Sequence, residues 1–245
     1  MLGSKERQIK RWSTLTQPNL KTLTCIICNN TDLYNNFKKL YADDVFCAGK
    51  LIRHQCPNCS LIFGDLRFLN LSEEQILNDH SDTYSYFTEG DNVKEVFECI
   101  NSIDIFLNKN LTYLDYACGT GKFMSCLKNI GYNINGYDKY VKGDNILNDI
   151  SSMTFEVIFS NNFIEHLINP IEQIKDMLNH LNYNGYLIFI SDCIDEYNVE
   201  FTHFHTYYYV GNSFKLLCDK LNLTIVESKN IGPCKIKVLR KNSDI

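Results

Sequence analysis

The stretch Leu114-Asp-Tyr-Ala-Cys-Gly-Thr-Gly121 constrains this chain more than any other, because an apolar run ends in two closely spaced glycines and a helical pattern begins at once. Glycines at such a turn let a ligand approach the backbone, and the first turn of the following helix offers free N–H groups to a negative charge. Around it, short apolar runs alternate with helical patterns: a strand over Leu111–Ala117, a helix over Lys122–Ile130, strands over Tyr132–Tyr137 and Phe155–Phe159, a helix over Ile171–Leu181 and a strand over Tyr186–Ile190. Such alternation predicts an α/β fold, a doubly wound Rossmann-like parallel sheet with helices on both faces. Asn169-Pro170 marks a helix start, since asparagine caps and proline suits the first turn. A helix at Ser213–Leu221 and strands at Leu223–Ser228 and Lys235–Arg240 close the sheet, one of the two antiparallel.

The loop selects its ligand. A dinucleotide fingerprint needs a third glycine, and that position holds Met124. Asp115 suits a cofactor that carries an ammonium group, and the helix N-terminus suits a carboxylate. S-adenosylmethionine has both, and Asp115, Ala117, Gly119 and Gly121 are its expected contacts. Asp138, which ends Gly136-Tyr137-Asp138, falls where the ribose hydroxyls of an adenosine would lie. Asp149 and Ile150 are expected near the adenine, with Asp144 as a competitor for that contact.

No apolar run approaches the roughly 20 residues that cross a bilayer, and residues 1–20 lack the apolar core of a secretion signal. A cytoplasmic setting follows, in which eleven cysteines stay reduced. Four of them form two pairs, Cys25-Ile-Ile-Cys28 and Cys56-Pro-Asn-Cys59, each spaced to aim two sulfurs at one ion. Together they predict a structural zinc held by four thiolates, with a short strand pair between them at Phe37–Tyr41 and Lys50–His54. Cys47 and His54 lie close enough in sequence to replace a ligand. The net charge of −5 and pI of about 5.7 provide no positive field for nucleic acid. The basic residues Lys5, Arg7, Lys10 and Arg11 read as a solvated, frayed tail. His80–Phe87 reads as an aromatic loop or lid, and Val93, Val96, Phe97, Ile100 and Ile103 as a helix. The predicted organisation is a tail over 1–20, a zinc ribbon over 21–65, a helical linker and lid over 66–110, and a cofactor domain over 111–245.

The blocks CIIC, CPNCSLIFG, DTYSYF, LDYACGTG, GYD, FEVIFSNNFIEHLINP and FTHFHTYYYVGNSFKLLCDKLNL occur in an order that resembles class I S-adenosylmethionine-dependent methyltransferases. The resemblance is to bacterial forms with an N-terminal zinc ribbon that tailor sugars, capsules and other small metabolites. It implies a seven-stranded sheet, Asn161 beside the methionine part of the cofactor, and Glu165-His166 at the mouth of the site. It also implies a small polar acceptor, a nucleotide-activated sugar or a capsule or surface-polysaccharide precursor. Related sugar C-methyltransferases place a tyrosine two residues before the Glu-His pair. Phe163 stands there in this chain, so His166, His203 and His205 are the candidate bases, with Glu165 beside them and Asp192 a weaker candidate. Two rival functions are an RNA methyltransferase whose zinc ribbon reads RNA, and a non-catalytic binding module. The acidic pI argues against the first, and the intact glycines with Asp138 argue against the second.

Overall fold

The structure is a computed structural model that describes residues 3–86, 93–197, 202–232 and 234–242. The chain forms two compact units: Met1–Asp91 with Asp195–Ser213, and Asn92–Ile194 with Phe214–Ile245. The boundaries therefore differ from those expected, because a C-terminal segment returns to the first unit.

The first unit begins with α1 (Ser4–Ser13), followed by β1 (Thr22–Thr24), β2 (Thr31–Leu33), β3 (Lys38–Asp43), β4 (Lys50–Gln55), β5 (Ile62–Phe63) and α2 (Glu73–Tyr84). β1 and β2 form an antiparallel ribbon, and β4 pairs antiparallel with both β3 and β5. The basic N-terminal stretch is not frayed, as its composition suggested. It is α1, and it packs on α2 with Trp12 only 2% exposed. Trp12 Nε1 donates to Asp79 Oδ2 over 2.8 Å, the Arg11 guanidinium pairs with Asp79 and Asp82, and Gln8 Nε2 donates to the Asp79 carbonyl and the Thr83 hydroxyl. Arg7 and Arg11 meet acids of α2 far along the chain, which no local pattern reveals. The expected loop from His80 is also corrected: α2 runs through Tyr84, started by a capping box in which Ser72 and Gln75 exchange side-chain-to-backbone bonds. Phe87, the last residue of that stretch, lies outside the described residues.

The second unit contains α3 (Val93–Asn101), β6 (Thr112–Tyr116), α4 (Lys122–Asn129), β7 (Asn133–Tyr137), β8 (Ile146–Leu147), β9 (Phe155–Asn161), α5 (Pro170–Asn179) and β10 (Leu181–Ser191). The chain then forms β11 (Tyr207–Tyr208) in the first unit and returns through α6 (Ser213–Lys220), β12 (Leu223–Ile231) and β13 (Cys234–Lys241). Seven strands make one sheet in the order β12-β13-β10-β9-β6-β7-β8. β6, β7, β8, β9 and β10 are parallel, and β13 runs antiparallel to both β10 and β12. β8 is only two residues long, too short for periodicity to disclose. Asn222 turns α6 into β12 with φ of +52°, a conformation asparagine tolerates. Val157 and Phe159 of β9 and Ile188 and Ile190 of β10 form the centre of the core, joined by Val96 and Ile100 of α3 and Met124 and Leu127 of α4.

The order of pairing reverses between β6 and β9, so the chain leaves the carboxyl ends of these two strands in opposite directions along the sheet, the arrangement that in such sheets makes a crevice for a ligand. No helix among the described residues is long and apolar enough to cross a membrane.

Candidate active site

The glycine-rich turn leaves β6 at this crevice. Ala117, Gly119 and Gly121 all have positive φ, +60°, +54° and +71°, so the chain coils tightly before α4 begins at Lys122. Met124 is buried under the turn: its Cε would lie 3.3 Å from a Cβ on Gly121 and 3.2 Å from one on Gly136. The methionine thus fills the space that the third glycine of a dinucleotide site would leave, and at 136 a side chain would also meet Cys118 Sγ at 2.9 Å.

Asp138, just beyond β7, is held firmly. Its Oδ2 accepts the Gly119 N–H over 3.0 Å, and its Oδ1 accepts the N–H groups of Tyr140 and Val141 over 2.8 and 2.9 Å. The carboxylate therefore joins the ends of β6 and β7. Asp115 is 4% exposed, and burial, with the nearby Asp138 charge adding to it, pushes its carboxyl up to about 8. Asp149 lies on the surface, where its carboxylate accepts from the Ser151 N–H and hydroxyl, while Ile150 beside it is buried. Asn161 ends β9, paired with Ile190.

After β9 the chain makes a short 3-10 turn, Ile164–His166, closed by the His166 N–H donating to the Phe163 carbonyl over 2.9 Å. Glu165 is 1% exposed, and its Oε2 accepts the Ser191 hydroxyl over 3.0 Å at the end of β10. Ser191 Oγ in turn accepts the Cys193 N–H. Burial, with a contribution from Asp192, pushes Glu165 up to about 8. Ser191 was missed at the level of sequence: a serine ending an apolar strand carries no signal until its partner is known. His166 is partly exposed on the same turn.

His203 and His205 belong to the first unit. His203 is 3% exposed: its N–H and Nδ1 both meet Asp44 Oδ1, over 2.7 and 3.0 Å, and its ring packs against Trp12, Phe68 and Phe204. His205 is partly exposed, with Nδ1 3.3 Å from the Tyr208 hydroxyl.

The four paired cysteines come together. Their sulfurs all lie within 4.8 Å of one another, with Cys25 to Cys59 at 3.5 Å and Cys28 to Cys56 at 3.6 Å. A zinc ion with Zn–S bonds of about 2.3 Å needs sulfurs about 3.8 Å apart, so the donor set fits a tetrahedral ion. The two turns are built alike. The Cys25 and Cys56 N–H groups donate to the Asn30 and Leu61 carbonyls over 2.8 Å, their carbonyls accept from Asn29 and Ser60, and those last two residues have φ of +57° and +69°. The hydrogen bond with Cys59, then burial, pushes the Cys25 thiol up. Burial alone would raise Cys28, but hydrogen bonds from Asn58 and Asn30 bring it down to about 7. Cys47 and His54 lie outside this cluster: Cys47 is exposed in a turn, and His54 Nε2 meets the Tyr34 hydroxyl at 2.8 Å.

The model of the methyltransferase domain family matches residues 91–228. No curated protein matches the chain in sequence. Among solved structures, the chain is similar to the 1,6-didemethyltoxoflavin-N1-methyltransferase of Burkholderia thailandensis, which holds 1,6-didemethyltoxoflavin and S-adenosylhomocysteine. The TM-score is 0.54 and the identity 11%, over 79% of this chain and 96% of that one. Mitomycin 7-O-methyltransferase follows with a TM-score of 0.47 and 13% identity, over 69% of this chain and 57% of that one. A SAM-dependent methyltransferase from Aquifex aeolicus gives 0.44 and 15%, over 61% and 89%. The chain belongs to the methyltransferase domain family and is a methyltransferase, with the fold of the Burkholderia enzyme that holds S-adenosylhomocysteine.

Proposed function

We propose that this enzyme methylates a small polar metabolite, a nucleotide-activated sugar or a capsule or surface-polysaccharide precursor, in the cytoplasm. The observation that carries the cofactor side is the Asp138 carboxylate, fixed by three backbone N–H groups beside the glycine turn and near the buried Asp115. When bound, S-adenosylmethionine supplies an electrophilic methyl group on sulfur. Asp115 holds the ammonium, the N–H groups at the start of α4 receive the carboxylate, and Asp138 takes the ribose hydroxyls. Ala117, Gly119 and Gly121 allow the close approach, Asp149 and Ile150 flank the adenine, and Asn161 reaches the methionine portion.

The acceptor class rests on the sequence resemblance; the net charge of −5 argues only against nucleic acid, and the Burkholderia enzyme binds a small molecule. The chain's own part would be to hold a hydroxyl, amine or carbon acid in line with that methyl group and to take up the acceptor's proton on a base. His166 is the principal candidate. Glu165, raised toward neutrality and held by Ser191, orients the acceptor or relays the proton. His205 is the remaining candidate. His203 we assign to holding the first unit together, because its ring is enclosed by aromatic groups and bonded to Asp44. Cys25, Cys28, Cys56 and Cys59 hold a structural zinc, with no ligand position left open for catalysis.

A screen of nucleotide-linked sugars for uptake of isotope-labelled methyl tests this function. Transfer to one of them is the expected result. Failure across the set, with transfer to RNA, would reassign the acceptor.

A further inference from the structure

We propose that the second cysteine turn and the segment 202–211 are one coupled element, so that zinc held by the four cysteines fixes the backbone of that segment. The inference rests on the zinc assignment and adds to it a role for a segment about 140 residues further along the chain.

The physical links are continuous. Cys59 is followed at once by Ser60, Leu61 and β5, and β5 pairs antiparallel with β11, Phe63 opposite Tyr207 and Ile62 opposite Tyr208. The Gly64 N–H donates to the Thr206 carbonyl over 2.6 Å. Two glycines permit the contact. A Cβ on Gly64 would come within 2.8 Å of the His205 carbonyl oxygen, and one on Gly211 within 2.7 Å of Ser60 Cβ and 3.2 Å of the Cys59 carbonyl. Gly211 also sits at φ of +60°, where any side chain is strained. The segment is thus pressed on the backbone of the cysteine turn itself. At its start, the buried Arg53 of β4 donates to the Thr202 carbonyl, and Tyr207 is itself buried.

Anything that orders the cysteine turn therefore orders the segment that carries His205, and coupling of this kind is reciprocal: loosening the segment must weaken the hold on the metal. Gly64 and Gly211 are positioning residues in this account. They touch neither metal nor substrate.

The test uses the full chain and reads metal and backbone, not activity. Zinc content is measured first. Protein that carries no zinc and takes up none removes the metal assignment itself, before the coupling is examined. With zinc bound, hydrogen exchange is followed at Ile62–Gly64 and Tyr207–Tyr208, with and without a chelator, in the wild type and in Gly211→Ala and Gly64→Ala. Stripping zinc is expected to speed exchange at Tyr207–Tyr208 at least about 10-fold, while β6, β9 and β10 stay protected. Each glycine variant is expected to speed exchange at the same amides and to hasten transfer of zinc to the chelator severalfold. Unchanged protection of Tyr207–Tyr208 in stripped wild-type protein would overturn the proposal. So would glycine variants with faster exchange there and an unaltered rate of zinc transfer.

Discussion

The Gly119 N–H donates to Asp138 Oδ2, so the glycine turn after β6 and the carboxylate after β7 are one piece of structure before any ligand arrives. Asp138→Ala is expected to remove both a ribose contact and the anchor of the turn. A charge-assisted bond of about 1.5–3 kcal/mol corresponds to a loss of roughly 10- to 150-fold in S-adenosylmethionine affinity. Titration calorimetry measures it. Affinity within twofold of wild type would place the ribose elsewhere.

Asp115 and Glu165 give the protein a defined pH response. Both carboxyls are raised to about 8 in the folded chain, from ordinary values near 4. The folded state therefore keeps protons that the unfolded chain releases, and stability without cofactor is expected to fall as pH rises from about 4 to about 8. An ammonium beside Asp115 favours its charged form, so cofactor binding below pH 8 should expel a proton and tighten as pH rises toward 8. Calorimetry at pH 6.5 in buffers of different ionisation enthalpy reads this directly. Heats independent of buffer in the wild type, or an Asp115→Asn protein that still binds and releases the same number of protons, would refute the assignment to Asp115.

If His166 removes the acceptor's proton, His166→Gln should lower turnover by about 10²–10⁴-fold and leave cofactor affinity nearly unchanged. Steady-state rates on the identified acceptor, together with S-adenosylmethionine titration, separate the two effects. A comparable loss in His205→Gln with His166→Gln nearly active would move the role to the first unit. Full turnover in both would leave Glu165 or simple positioning as the source of catalysis.

One zinc per chain is expected from elemental analysis of protein purified without added metal. Cys56→Ser removes one of four thiolates and should lose most of the metal and destabilise the first unit, seen as a lower thermal midpoint. A soluble Cys56→Ser protein that keeps full zinc would exclude the four-cysteine site.

What the sequence disclosed follows from range. The strand-turn-helix at 114–121, the helix after Asn169-Pro170 and the two cysteine pairs are signals written within a few residues, and the structure places each as the pattern suggests. The elements that escaped depend on distant partners. α1 looked like a charged tail because Asp79 and Asp82, which its arginines meet, belong to α2. His203 stood among the candidate bases with no sign of its bond to Asp44, which lies in a turn far away in sequence. The return of β11 to the first unit is likewise fixed by two residue pairs, too few for any periodicity to show.

That return shapes how the protein is made. On a ribosome, β5 emerges already beside β4 but about 140 residues before β11, the partner of its other edge. At elongation rates of about 5–20 residues per second, its outer edge waits roughly 7–30 s for β11. During that interval the cysteine turns are complete but the unit around them is not. An open strand edge beside apolar groups is a template for pairing with other chains. Overexpression that outpaces folding should therefore fail at this edge first, and aggregates recovered from such cells should carry protected amides at Ile62–Phe63.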